Sequence, residues 1–330
     1  MDISFLLLVT IFLIIAAEFV NGWTDAPNAI ATVVATRVMS PRIAVVWATV
    51  LNFCGTLVGV EVAKTIGKGI IVPESVTLIA IAAAMLSIVL WSSFAARLGL
   101  PTSESHALIA GLTGAGFAQG GLSVLEWAGW KKVLIGLGFS TFLGFISGII
   151  IMTIGYLIFR NFALAKVTRT SKSLQIFSSG FMAFSHGTND GQKFIGVMAM
   201  ALLVSGVYTE FNVPLWTKIL AAATMGIGTA FGGWRIIRTM GVHMVNIKPA
   251  QGFAAEFAAA SVIQVASHFG IPLSTTHTIN TSIMGVAATK RMSAVRWPVA
   301  FKIIKAWIIT FPVCGIIAFA ITKILLLISG

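Results

Sequence analysis

Asp25 and Asp190 lie 165 residues apart in a chain of 330, and the only other aspartate is Asp2. Each sits in a polar stretch of an otherwise apolar sequence. The first is Asn21-Gly22-Trp23-Thr24-Asp25-Ala26-Pro27-Asn28-Ala29, and the second is Ser185-His186-Gly187-Thr188-Asn189-Asp190-Gly191-Gln192-Lys193. Asn28 follows Asp25 by three residues and Lys193 follows Asp190 by the same step, a spacing that shares one helix face. Carboxylate, amide and carbonyl oxygens suit a hard cation such as Na+, and an aspartate at membrane depth can carry a proton instead. Gly22, Pro27, Gly187 and Gly191 can break a helix here, freeing carbonyls for a cation and N–H groups for an anion. A satisfied polar contact between helices would explain one such aspartate. Two at duplicated positions favour function.

A second pattern is also duplicated. Pro101-Thr102-Ser103-Glu104-Ser105-His106 and Pro272-Leu273-Ser274-Thr275-Thr276-His277 share P-x-S-x-[S/T]-H, with Ser103 and Ser274 171 residues apart. Ser103, Ser105, Ser274, Thr275 and Thr276 offer hydroxyl donors, and a break at each Pro would expose helix N-terminal N–H groups, the makings of an oxyanion clamp. Neutral donors suit a carrier, which must release its cargo as well as bind it. The competing reading is that small residues let helices pack closely. Glu104 breaks the symmetry, its counterpart being Thr275, and could be a cation ligand, a proton carrier or a protonated structural carboxylate. His106 and His277 are matched and could support either role or packing. Lys193 could pair with a carboxylate or with substrate. Glu18 and Glu256 lie in apolar runs, and His186, His243 and His268 show no metal-ligand spacing.

The elements that must hold these residues are membrane helices. The chain is 57% hydrophobic and 10% charged, with mean hydropathy +0.97, far from the roughly 25% charge of soluble domains. Apolar runs of about 20 residues, enough to span a bilayer, recur throughout. The net charge of +12 collects at span ends, as loop charges do, and does not form a nucleic-acid-binding domain. Cys54 and Cys314 lie in apolar runs and read as buried, inert thiols. In the first half we expect helical elements near 3–20, 25–38, 43–63, 76–96, 101–118 and 132–158. In the second we expect them near 174–187, 190–206, 215–234, 249–269, 272–289 and 300–326. This divides the chain into a first repeat (1–159), a basic connecting loop (160–173) and a second repeat (174–330). If the P-x-S-x-[S/T]-H elements dip in and return, each half crosses five times and the second copy is inverted, as in many secondary transporters.

The paired motifs resemble those of the PiT family of inorganic phosphate transporters, whose signature G-A-N-D-V-A-N-A occurs once in each half. Here it reads Gly22-Trp23-Thr24-Asp25-Ala26-Pro27-Asn28-Ala29 and Gly187-Thr188-Asn189-Asp190-Gly191-Gln192-Lys193. Thr24, Trp23 and Pro27 depart from the signature. The resemblance implies an all-α integral membrane protein of two inverted repeats, each of five to six helical elements, with re-entrant or broken helices at the centre. It implies symport of phosphate with Na+ or H+ across the cell membrane, no catalysis, no cofactor beyond the coupling ion, and a homodimer in the bilayer. By motif position Asp25, Asn28, Asn189 and Asp190 would serve the cation, Na+ included, with Glu104 as a further candidate. Gln192 would join Ser103, Ser105, Ser274, Thr275 and Thr276 at the anion, with Thr24, Lys193, His106 and His277 in support. The alternatives are a sulfate permease of the same fold, an anion channel and an intramembrane enzyme.

Overall fold

The computed structural model describes residues 3–329. Among these, one isolated β-bridge joins Ile71 to Leu125 and the regular structure is otherwise helical. In the first half α1 is Ile3–Ala35, α2 Pro41–Thr56, α3 Glu61–Gly69, α4 Leu78–Arg97, α5 Glu104–Gly120 and α6 Trp127–Phe159. In the second, α7 is Leu164–His186, α8 Gln192–Val204, α9 Leu215–Phe231, α10 Trp234–Arg238, α11 Pro249–His268, α12 Thr275–Ala288 and α13 Trp297–Ser329. One π-helical turn, Gly187–Gly191, joins α7 to α8, and another, Thr239–Met244, follows α10. The order of elements repeats: α1 answers to α7 and α8 together, α4 to α11, α5 to α12 and α6 to α13.

The halves are interleaved rather than side by side. α5 packs mainly on α13, and its counterpart α12 packs mainly on α6. The same exchange shows at two close helix crossings. A Cβ at Gly22 would run into the Met225 carbonyl, and one at Gly187, 165 residues on, into the Asn52 carbonyl. The glycines of the partner helices repeat the pattern, Gly228 against Phe19 and Gly55 against Phe184. Small residues that let backbones touch are how helices associate where lipid offers no hydrophobic drive.

Several expected features differ; the span expected near 43–63, for one, is broken into α2 and α3. By contrast, α1 runs unbroken for 33 residues, with Pro27 inside it. It is about 50 Å long at 1.5 Å per residue, so the span and the motif helix are one piece. Pro27 removes only one N–H, and Gly22 is used for the crossing with α9, so neither interrupts the helix. Only the second copy is distorted, at its π turn. The expected basic loop 160–173, too, is helical from Leu164. It contains no Gly or Pro, and its Lys and Arg are good helix formers, so their charge marks an exposed helix face. Cys314 is buried as expected, but the expectation for Cys54 is corrected: it is exposed, because it shares a face of α2 with exposed Trp47 and Val50.

Among the described residues, five helical stretches can cross a membrane by length and apolarity: Ser4–Ala35, Leu78–Arg97, Glu104–Val124, Trp127–Phe159 and Trp297–Ile328. The pair α2–α3, bent by 69°, would make a sixth. The protein is therefore a multi-pass membrane protein. Two apolar cores form, and α1 connects them: Ile14 and Ala17 pack with Ile81, Leu108 and Phe194, while Ile30 and Val33 pack with Ile263, Ile279 and Ile303. Asp25 lies on the stretch of α1 between the two.

Candidate functional site

The P-x-S-x-[S/T]-H elements start two helices. The chain turns inward from exposed Leu98 to buried Ser103 and from exposed Phe269 to buried Ser274. Ser103 caps α5 by accepting the His106 N–H at 3.2 Å, and Ser274 caps α12 by accepting that of His277 at 3.2 Å. The two capping hydroxyls meet at 2.8 Å. Two helix N-termini thus converge at one buried point, each with first-turn N–H groups that have no intrahelical acceptor and a partial positive charge. Such a point suits an anion by geometry and by field.

The aspartates stand beside it. Thr276 donates to Asp25 Oδ1 at 3.1 Å and Thr275 donates to Asp190 Oδ2 at 2.9 Å. The first turn of α12 therefore touches both motifs. Asn28 donates to Thr276 Oγ1 at 3.1 Å. Lys193 Nζ donates to Asp190 Oδ1 (2.5 Å), Ser105 Oγ (2.5 Å) and the Leu273 carbonyl (2.8 Å).

Between the aspartates lies His186, which sequence spacing did not single out. Its Nε2 is 3.8 Å from Asp25 Oδ2 and 3.4 Å from Asp190 Oδ2, and the three residues can offer ligand atoms within 4.8 Å of one another. The tautomer follows from the hydrogen bonds behind the ring. Thr229 Oγ1 donates to the Met225 carbonyl and accepts from Asn52 Nδ2 at 3.1 Å, which turns Asn52 Oδ1 toward His186 Nδ1 at 2.9 Å. Nδ1 is then the donor. In a neutral ring Nε2 presents a lone pair to two carboxylates, and Nε2 and Asp25 Oδ2 are both buried without a hydrogen-bond partner. A cation at this point, proton or metal ion, removes the repulsion. The signal was in the motif: His186 precedes Asp190 by four residues, one helical turn, but its second partner Asp25 is distant in sequence.

Other candidates lie elsewhere. Glu104 accepts from Thr24 at 3.0 Å and from Ser92 at 2.7 Å, a contact set distinct from the aspartates' own. Asn189 donates to Ser267 at 2.8 Å and, more weakly, to the Ile271 carbonyl. Gln192 accepts the Val62 N–H at 2.9 Å and donates to the Val58 carbonyl at 3.0 Å, so its amide serves the start of α3. His106 and His277 pack edge to face at 4.5 Å between ring centres, and His277 stacks on Trp307 at 3.8 Å. Glu256 accepts from Thr32, Ser178 and Gln175 in a separate, satisfied cluster. Glu18 accepts from Asn21 at 2.9 Å.

Two helix N-termini thus meet beside a buried Asp25–His186–Asp190 trio inside a membrane helix bundle, an arrangement with the chemistry to face an anion and a cation at once. The chain belongs to the phosphate transporter (PHO4) family, whose profile matches residues 21–318. It is 38% identical over 334 residues to a probable low-affinity inorganic phosphate transporter of Bacillus subtilis (strain 168), covering 98% of this chain and 100% of that one. A probable low-affinity inorganic phosphate transporter of Rhizobium meliloti (strain 1021) is 42% identical over 303 residues, 91% of each chain. Among solved structures, a sodium-dependent phosphate transporter has the same fold, with a TM-score of 0.90, 22% identity and coverage of 98% of this chain and 99% of that one.

Proposed function

We propose that the protein is a secondary symporter of the cell membrane that moves inorganic phosphate together with Na+ or H+. The observation that carries this reading is the convergence of two helix N-termini at Ser103 and Ser274, within one hydrogen bond of each aspartate through Thr275 and Thr276. Phosphate brings negative charge to the N-termini, and the coupling cation brings positive charge to Asp25, His186 and Asp190. Each cargo improves the field for the other, which is the physical content of coupling. Asp25, Asn28 and Asp190 serve the cation, and Ser103, Ser105, Ser274, Thr275 and Thr276 the anion. Glu104, Asn189 and Gln192 hold the surrounding helices in place.

Alternating access follows from α1, which passes between the two apolar cores with Asp25 at the junction. Rocking of one core against the other would open the Ser103–Ser274 contact to each side in turn, as inverted repeats do. Membership of a transporter family supports transport rather than catalysis as the chain's role. The proposal includes lipid and a second copy as neighbours of the exposed apolar flanks of α6 and α13, which carry Phe139, Phe142, Ile308 and Ile316.

The test is labelled phosphate uptake into proteoliposomes under imposed Na+ or H+ gradients, with sulfate as competitor. Uptake that follows one gradient, resists sulfate and disappears in Asp25→Asn is expected. Uptake blocked by sulfate would make the protein a sulfate permease, and flux indifferent to both gradients would make it a channel.

A further inference from the structure

Lys193 is a built-in cation, we propose: in the second half its ammonium holds the position that a mobile coupling ion takes in the first, so one mobile cation accompanies each anion. The inference rests on the symport reading above and adds the number of ions.

The argument starts from the duplication. Lys193 and Asn28 stand at the same 165-residue offset as the aspartates they follow. One position thus carries a neutral amide in one copy and an ammonium in the other. The surroundings of Nζ are a carboxylate, a hydroxyl and a backbone carbonyl, the hard oxygen ligands that a metal cation of the same charge would collect. An ammonium has three N–H donors, and these three acceptors satisfy all of them. The residue is 1% exposed, so the charge belongs to the interior rather than to a surface that water could supply.

The first half lacks such a charge. Asn28 donates to the hydroxyl of Thr276, the residue matched to Ser105 at the 171-residue offset of the second motif. Thr102 is matched in the same way to Leu273. There, Asp25 Oδ2 and Thr102 Oγ1 are buried oxygens without a partner, whereas Asp190 has a partner at each oxygen. One half therefore has a tethered positive charge and satisfied ligands, and the other has the same types of oxygen and no tethered cation. With Lys193 balancing Asp190, a single monovalent cation at the Asp25–His186 side balances the other aspartate.

The experiment counts coupling ions in proteoliposomes of the full-length protein, from the ratio of driving cation to labelled phosphate taken up and from the steepness of initial uptake with the driving cation. Wild type is expected to give a ratio of one and a Hill coefficient of about 1. Lys193→Asn, which copies Asn28, is expected to recruit a second ion and raise the coefficient toward about 2. A wild-type ratio of two or more overturns the inference whatever the variant does. An active Lys193→Asn protein with an unchanged ratio overturns it as well. Failure of wild type to move phosphate at all would instead strike the symport reading, so the two failures are distinguishable. Lys193→Arg, which keeps the charge, should keep the ratio of one at reduced rate, and a ratio of two in this variant would count against the tethered-charge role.

Discussion

The two signature copies begin from the same design and end with different physics. The first lies in the regular helix α1, where Asp25 has one bonded oxygen and one bare one, and Asn21 turns away to Glu18. The second lies in a π turn, where Asp190 is bonded through both oxygens to Lys193 and Thr275, and His186, the counterpart of Asn21, reaches across to both aspartates. The π turn adds a residue to the helical repeat, a device often found at functional sites. The copies differ in how far their carboxylates are satisfied: Asp190 has a partner at each oxygen and Asp25 has one oxygen bare, so on the proposed symport the second copy would act as scaffold and the first would take the moving ion.

Removing one carboxylate at a time should separate these roles. Asp190→Asn leaves the Lys193 ammonium buried and unpaired, a loss of about 3–5 kcal/mol for a broken buried pair. Thermal unfolding in detergent should show a large fall, and transport should be lost with it. Asp25→Asn removes a charge that has no protein partner on one oxygen, so the same assay should show a shift of only about 1 kcal/mol, the worth of one ordinary hydrogen bond. Coupled uptake should nevertheless vanish. If the two variants lose stability equally, that distinction between the copies fails. Combining Asp190→Asn with Lys193→Met should recover most of the stability and none of the transport.

At the anion site the halves should instead behave alike. Ser103 and Ser274 each cap a helix and each touch the other, so Ser103→Ala and Ser274→Ala should each cost about 1 kcal/mol of capping. If that cost is expressed in binding, half-saturating phosphate rises roughly fivefold in either variant. Unequal effects, read from phosphate titrations of uptake, would mean that the anion leans on one half and that the two-fold relation is only architectural.

How much of this was legible before the structure depends on where the partners lie. The duplication was visible because the motifs repeat at nearly fixed offsets, and the Pro-Ser-His spacing contains its own geometry, an N-cap followed three residues later by the His N–H it accepts. The continuity of α1 was not legible: Gly22 and Pro27 carry local breaking tendencies, and the contact that overrides them is with Met225, far along the chain. His186 was passed over because its role needs Asp25 and Asn52 from two other helices. Charge alone made 164–173 look like loop, although the backbone propensities of those residues favour helix.

Gln192 offers the finest cut between motif and structure. Its place in the second signature implies contact with the anion, yet its side chain spans Val58 and Val62 and so secures the first turn of α3. Its counterpart in the first copy is Pro27, which has no side-chain donor at all, so nothing on the other side of the site requires an amide there. Gln192→Ala should therefore cost about 1 kcal/mol of stability, as lost helix caps do, while half-saturating phosphate stays within about twofold, under half a kcal/mol. A rise of about tenfold in half-saturating phosphate with unchanged thermal stability would reverse the assignment, because an anion ligand acts on the loaded state and a helix cap acts on the fold.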